Sequence, residues 1–131
     1  MNNQKHVAMD KRQYPRVDTD WPATLFYADQ TEIETTLTNI SRFGLQIRCS
    51  KMIAGTLLSD RYQPVPGGNA RVTLIFELPP GSGTEIMVQC EVVRSQRFSQ
   101  NDFTLSFKYI DLEEDEFKLI NSYIKKIYPK H

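Results

Sequence analysis

The sequence lacks the charge excess of a nucleic-acid binder and the cysteines of a disulfide-stabilised secreted protein. Its 131 residues hold 16 lysines and arginines against 16 aspartates and glutamates, so the formal net charge is zero. Nucleic-acid domains usually carry a basic excess, and we therefore expect no nucleic-acid partner and only a local anion site. Two cysteines, Cys49 and Cys90, favour a reduced cytoplasmic protein, with a single disulfide as the alternative.

Segments suited to membranes, metals and catalysis are also missing. No window approaches the roughly 18 apolar residues of a membrane span, and the N-terminal MNNQKHVAMD lacks the apolar core of a signal peptide. His6 and His131 stand near opposite ends, without a cluster of other metal-ligating residues. Since no glycine-rich phosphate loop or nucleophile motif occurs either, we expect no metal, cofactor, membrane insertion or enzymatic activity.

Alternating apolar and polar residues predict six β-strands in the middle of the chain. The predicted strands are 21–27, 32–40, 45–49, 71–78, 84–96 and 102–110. Afterwards the apolar spacing changes to that of a helix, and Phe117, Ile120 and Ile124 share one face. Asp111 is the expected N-cap of this helix, with Glu114 completing a capping box. The pattern predicts a mainly β fold, a six-stranded antiparallel barrel with a C-terminal α-helix packed on it.

The chain divides into a short tail and one domain. Residues 1–10 are polar and aperiodic, which predicts a flexible N-terminal tail. Residues 11–131 form the single domain, with an irregular arm over 11–18, the barrel over 21–110 and the helix over 112–127. Pro15 prevents a regular helix in the arm. The connection over 50–69 is either a helical turn or an irregular flap.

Two short polar motifs are the candidates for a binding site. RQYPR carries Arg12 and Arg16, whose guanidinium groups suit a phosphate or a guanine edge. NISRFG carries Asn39 and Ser41 at alternate positions, with Asn39 on the parity of the apolar positions of its strand. Gly44 would let the backbone turn and a ligand approach. Together these groups suit a planar, anionic, hydrogen-bonding ligand such as a guanine nucleotide.

The sequence RxxxR followed by [D/N]xSxxG resembles the PilZ domain family, bacterial receptors for the second messenger cyclic di-GMP. The resemblance implies a six-stranded barrel and a cyclic di-GMP-binding function. It also implies that Arg12 and Arg16 grip phosphate and guanine, while Asn39 and Ser41 hydrogen-bond base and phosphate. Gly44 would admit the ligand to the backbone.

Two further positions bear on the ligand. Lys11 directly precedes RxxxR, and a long cation there could reach a second guanine of an intercalated cyclic di-GMP pair. Alternatively, Lys11 points into solvent and one nucleotide binds. In FTLSFKY, Ser106 stands where the family commonly has glycine, and Tyr109 where it commonly has phenylalanine. Ser106 would narrow the pocket or add a hydroxyl to it.

The resemblance leads to two hypotheses of different classes. In the first, the chain is a non-enzymatic signalling receptor whose arm closes over cyclic di-GMP and alters a surface for an unidentified protein partner. In the second, it is a protein-interaction module that binds nucleotide weakly or not at all, and acts through the 50–69 connection or the C-terminal helix.

Overall fold

Six antiparallel strands close into a barrel in the order β1-β2-β3-β6-β5-β4. The computed structural model describes residues 15–27, 31–61 and 71–129. The strands are β1 Val17–Tyr27, β2 Thr31–Ile40, β3 Gly44–Cys49, β4 Arg71–Glu77, β5 Glu85–Ser99 and β6 Asp102–Ile110. The helices within these ranges are α1 Lys51–Arg61 and α2 Glu114–Ile127. The predicted barrel with a C-terminal helix is confirmed.

Alternation of inward and outward residues along the strands builds the core. In β4, Val72, Leu74 and Phe76 point inward and are buried, while the residues between them are more exposed. The helix α2 packs on this core through Ile120 and Ile124, which are fully buried. Burying an aliphatic side chain of this size stabilises the fold by about 1.5–3 kcal/mol, so the apolar stripe of α2 is enough to fix it on the barrel.

The two cysteines are buried and unpaired, as the reduced interpretation of the sequence predicts. Burial raises the pKa of the Cys90 thiol to about 12. Burial, followed by the negative charge of Asp102, raises the pKa of Cys49 to about 11. Because the thiolate is the reactive form, neither side chain is suited to nucleophilic chemistry near neutral pH.

Several predicted boundaries differ from the observed ones: β5 ends at Ser99 rather than at residue 96, and two further differences concern the arm and α2. The first strand begins at Val17, four residues earlier than expected, so Val17 and Asp18 belong to β1 rather than to the arm. The helix α2 begins at Glu114 with Glu113 as its N-cap, and no side chain caps it. Asp111 has a φ of 51° and turns the chain at the end of β6, so it is too early to cap the helix.

The connection after β3 contains a helix rather than a flap. Ser50 caps α1, accepting a hydrogen bond from the backbone N–H of Ile53 at 3.3 Å. The backbone N–H of Lys51 donates to Asn101 Oδ1 at 2.9 Å, which ties α1 to the β5–β6 hairpin. The later part of the connection, from residue 62, lies outside the described residues. Neither of the helices that the structure describes has the length and apolar character to cross a bilayer.

Candidate functional site

A cavity of about 180 Å³ opens on the outer face of the barrel, at the turn between β2 and β3. Five of the predicted site residues line it: Arg16, Asn39, Ser41, Gly44 and Ser106. The remaining lining residues are Phe43, Leu45, Gln46, Val93 and Phe107. Lys11 and Arg12 lie outside the described residues, as does most of the predicted arm. The structure thus brings the end of the RQYPR motif and the NISRFG motif to one place.

A β-bulge in β2 decides which way Asn39 faces. Simple alternation puts Asn39 on the same face as Leu37, which is fully buried. The pairing of β2 with β3 shifts between these two residues, so that Leu37 opposes Ile47 and Asn39 opposes Gln46. The extra residue reverses the alternation, and Asn39 reaches the outer face and the cavity. The prediction that Asn39 shares a face with Leu37 is therefore wrong. Asn39 and Ser41 nevertheless line the same cavity.

Hydrogen bonds join Asn39, Gln46 and Ser106 into a line across β2, β3 and β6, which we call the polar row. Asn39 Nδ2 donates to Gln46 Oε1. Gln46 Nε2 donates to Ser106 Oγ at 2.7 Å. Within the described residues Asn39 Oδ1 accepts no hydrogen bond, so it can receive an N–H group of a ligand.

Gln46 lines the cavity, and the sequence analysis did not single it out. It is the outward-facing residue between buried Leu45 and Ile47, so the alternation of β3 could have identified its face. Nothing in the spacing of the motifs, however, reveals that Gln46 stands opposite both Asn39 and Ser106.

The hydroxyl of Ser41 builds the turn that borders the cavity. It donates to the carbonyl of Gly44 at 3.1 Å and accepts from the backbone N–H groups of Phe43 and Gly44, each at 3.2 Å. The backbone N–H of Ser41 also donates to the Gly44 carbonyl at 2.8 Å. These bonds fix the turn before any ligand arrives, which reduces the ordering cost of binding.

Tyr109 holds the same turn from β6. Its hydroxyl donates to the Ser41 carbonyl at 2.8 Å, and its backbone N–H donates to the Phe43 carbonyl at 3.2 Å. Burial, and secondarily the neighbouring Cys90, raises the pKa of the Tyr109 hydroxyl well above its ordinary value. The hydroxyl therefore stays protonated and remains a donor near neutral pH. A phenylalanine at this position could not make the hydrogen bond to the Ser41 carbonyl.

Gly44 is required by the backbone of the neighbouring strand. A Cβ atom at this position would lie 2.1 Å from the carbonyl oxygen of Phe107. The φ angle of Gly44 is not in the positive range, so the residue is not needed for an unusual turn. The close approach of β3 to β6 explains this glycine independently of any ligand.

Helix α2 and its C-cap residue, Tyr128, contact the two motifs. Arg42 Nε, in the NISRFG turn, donates to Asn121 Oδ1 on the helix. The hydroxyl of Tyr128, just after the helix, donates a long hydrogen bond of 3.5 Å to the carbonyl oxygen of Arg16. A change at the cavity that moves either motif would therefore reach α2.

The chemistry of the cavity suits an anion with hydrogen-bonding edges. Arg16 supplies a guanidinium group, and the polar row supplies amide and hydroxyl groups. Among the residues that the structure describes, no cluster of histidine, cysteine or carboxylate side chains could hold a metal ion. The cavity is smaller than the roughly 300–1,000 Å³ that is usual for pockets of whole ligands.

A larger depression of about 530 Å³ lies elsewhere, on the outer face of β1, β4 and β5. It is lined by Phe26, Ile75 and Met87 among others, and by none of the predicted site residues. Arg71 is the cation in its lining, and it is ion-paired with Glu91 at 3.7 Å. The larger depression therefore does not coincide with the predicted site residues.

The profile of the PilZ domain family matches residues 10–126. No curated protein matches the chain. The Bacillus subtilis inhibitor of motility MotI/DgrA is 21% identical, with a TM-score of 0.65 over 92% of this chain and 53% of its own. The K. pneumonia MrkH–c-di-GMP complex is 14% identical, with a TM-score of 0.67 over 91% of this chain and 53% of its own.

A third similar structure is the PilZ domain of YcgR from Escherichia coli with c-di-GMP. It is 12% identical, with a TM-score of 0.61 over 92% of this chain and 93% of its own. This chain spans about half the length of the MotI/DgrA and MrkH chains. At these identities the likeness to solved structures is one of fold. The match of the family profile to nearly the whole sequence shows more: the chain belongs to the PilZ domain family.

Proposed function

We propose that this chain is a cytoplasmic receptor for cyclic di-GMP that acts as an adaptor, by binding rather than by catalysis. The observation that carries the proposal is the cavity in which Arg16, from one motif, meets Asn39, Ser41 and Gly44, from the other. The structures of MrkH and YcgR with c-di-GMP, both of this fold, support the choice of ligand.

Arg16 and Asn39 each have a possible partner on such a nucleotide. The guanidinium of Arg16 can bind a phosphate or the O6/N7 edge of guanine with two parallel hydrogen bonds. Asn39 Oδ1, which receives no hydrogen bond from the described part of the chain, can accept from the N–H groups of a guanine. Ser41 contributes by holding the turn, since its hydroxyl is already engaged there. Arg12 would add a second guanidinium, and Lys11 would reach a second nucleotide of an intercalated pair.

Binding would carry the signal through the arm and α2. A nucleotide held by Arg12 and Arg16 draws the arm towards the NISRFG turn. Helix α2 lies against both segments, through Tyr128 at Arg16 and Asn121 at Arg42. The closed arm and α2 would then form the altered surface for a protein partner.

The second candidate is a protein-interaction module with weak or no nucleotide binding. One observation favours it: several polar groups at the cavity are already hydrogen-bonded to one another. The side-chain N–H of Asn39 donates a hydrogen bond to Gln46 Oε1, and the hydroxyl of Ser41 donates one to the Gly44 carbonyl. A ligand would have to compete with bonds that the empty protein already makes.

Titration calorimetry with cyclic di-GMP separates the two candidates. The receptor predicts saturable binding at micromolar or lower concentration, because a few charge-assisted bonds of about 1.5–3 kcal/mol each exceed the ordering cost. Cyclic di-AMP, which has the same phosphates and a different base, is the control for guanine recognition. If cyclic di-GMP gives no heat of binding, the proposed receptor function is wrong.

The same titration measures stoichiometry. An intercalated pair requires two nucleotides per chain, and Lys11→Leu should then lower the stoichiometry towards one. If the unmodified chain saturates at one nucleotide, the paired ligand is wrong and Lys11 is not a site residue.

A further inference from the structure

The line of residues that forms the polar row continues past Ser106 to β5. Asn39 opposes Gln46, Gln46 opposes Ser106, and Ser106 opposes Arg94. Neighbouring strands lie about 4.7–4.9 Å apart, so the distance across the outer face from β2 to β5 is roughly 14 Å. A guanidinium-bearing residue thus stands at the β5 end of a row whose other members line the cavity.

A second β-bulge puts Arg94 in this position. Val92 opposes Phe107, and both are buried. The register then shifts, so that Arg94 opposes Ser106 and Val93 is the extra residue. Val93 lines the cavity, which shows that the bulged segment borders it. Directly opposed side chains share a face with Cβ atoms about 4.5–5.5 Å apart, and an arginine side chain is long enough to reach over the cavity from there.

Arg94 has no evident structural task, unlike the next arginine of the same strand. It is exposed and makes no hydrogen bond or ion pair within the described parts of the chain. Arg97 donates from Nε to the Ser99 carbonyl at 3.1 Å. Its guanidinium also lies 5.6 Å from the ring centre of Phe103. Arg97 stabilises the hairpin, whereas Arg94 is available to a ligand.

The charges around Arg94 favour a phosphate there. The nearest carboxylate along β5 is Glu91, and it is paired with Lys108 at 3.4 Å and Arg71 at 3.7 Å. It is therefore neutralised and does not hold Arg94. The exposed carboxylate of Asp18 opposes Asn39 at the β1 end of the row. Repulsion by Asp18 and attraction by Arg94 both direct an anion towards β5.

We propose that Arg94 is a further ligand-binding residue, whose guanidinium binds a phosphate of cyclic di-GMP at the β5 end of the cavity. The proposal rests on the proposed function. Cyclic di-GMP is two-fold symmetric, with two phosphates and two guanines, so a nucleotide gripped by Arg16 presents a second set of acceptors. Arg94 is the group that meets this second set.

The experiment is calorimetric titration of cyclic di-GMP into the full chain and three variants. Arg94→Gln removes the charge and the fork, and Arg94→Lys keeps the charge alone. Arg97→Gln is the matched control, since it makes the same substitution three residues along the same strand. The Arg94→Gln variant loses charge-assisted hydrogen bonds, so its affinity for cyclic di-GMP should be about ten- to a hundredfold lower than that of the unmodified chain. The affinity of Arg94→Lys should lie between these two. Arg97→Gln should stay within about twofold.

Thermal melts by circular dichroism check the fold of each variant. The Arg94 variants should change stability little, because Arg94 is exposed, whereas Arg97→Gln should lose the hairpin contacts of Arg97. If Arg94→Gln binds as tightly as the unmodified chain, Arg94 is not a ligand-binding residue, and the proposed function stands. If both glutamine variants lose affinity equally, the effect belongs to the hairpin and the proposal is overturned. If the unmodified chain binds no cyclic di-GMP, the proposed function and this proposal both fail.

Discussion

Two rows of side chains cross the same three strands, β2, β3 and β6, on opposite faces. The inner row is Leu37, Ile47 and Leu105; the outer, polar row is Asn39, Gln46 and Ser106. Every member of the inner row is fully buried. Every member of the polar row is half-buried and borders the cavity.

The difference between the rows separates stability from binding. The inner row has only packing contacts to lose, and its removal leaves a cavity in the barrel. The polar row has hydrogen bonds beside solvent, where a lost partner is largely replaced by water. Substitutions inside should therefore change the free energy of unfolding, and substitutions outside should change nucleotide affinity. The proposed function can be tested on the outer face without unfolding the protein.

The largest effect on stability is expected for Ile47→Ala. Truncating a fully buried isoleucine costs about 2–5 kcal/mol of unfolding free energy, because the barrel cannot collapse around the gap. Chemical denaturation measures it, and Ile47→Val, at about 0.5–1.5 kcal/mol, is the graded control. The folded fraction should still bind cyclic di-GMP with unchanged affinity. A large loss of affinity with little loss of stability would contradict the separation of the rows.

The largest effect on binding is expected for Arg16→Ala, and the same for Arg12→Ala. Removing charge-assisted hydrogen bonds should weaken cyclic di-GMP binding by at least about tenfold. The unfolding free energy should stay within about 0.5 kcal/mol, because Arg16 is partly exposed at the edge of the barrel. Arg48→Ala, an exposed arginine of β3 away from the cavity, is the control for net charge. Unchanged affinity in either motif variant would remove that arginine from the site.

Asn39→Ala should weaken binding by about 1–3 kcal/mol, because a guanine N–H group would lose its acceptor. It also frees the side chain of Gln46, which is hydrogen-bonded to Asn39 in the empty protein. Thr24→Ala is a suitable comparison, since it removes only an exposed hydrogen bond from Thr24 on β1 to the carboxylate of Glu34 on β2. Calorimetry should separate the two variants clearly, and equal affinities would exclude Asn39 from the site.

The barrel was predictable because most strands obey the period of two, and α2 was predictable from its apolar stripe. The orientation of Asn39 was not. Its motif marks it as polar and near a turn, but only the bulge after Leu37 decides that it leaves the core. A bulge adds one residue without changing the local composition, so alternation cannot detect it.

Candidate binding residues outside the motifs could be identified only from the pairing of the strands. Gln46 and Arg94 are ordinary polar positions in the sequence, and their meeting with Ser106 depends on the register of three strands. The prediction of Asp111 as the N-cap of α2 was wrong for a related reason. Asp111 has the right side chain for a cap, yet the chain needs it in a left-handed turn to leave β6.

Tyr109→Phe should cost about 0.5–1.5 kcal/mol of unfolding free energy, because the Ser41 carbonyl loses its donor. The cost should depend on pH in one direction. The pKa of Tyr109 is raised in the folded protein, so its contribution is complete below the unfolded pKa of about 10 and declines at higher pH. Denaturation at neutral and alkaline pH measures this. A difference between the two proteins that grows above pH 10 would contradict the assigned donor.

The smallest effect is expected for Ser106→Gly, which removes the Ser106 side chain from the lining of the cavity. The hydroxyl accepts from Gln46 at 2.7 Å, so its removal frees one amide donor beside solvent. It also widens the cavity next to Gln46, and the freed donor can turn to a phosphate. These effects oppose the loss of order in the polar row, and we expect affinity for cyclic di-GMP to be unchanged or improved. A clear loss of affinity would instead show that the Ser106 hydroxyl touches the ligand, and the polar row would then be a direct contact surface rather than a scaffold for Asn39.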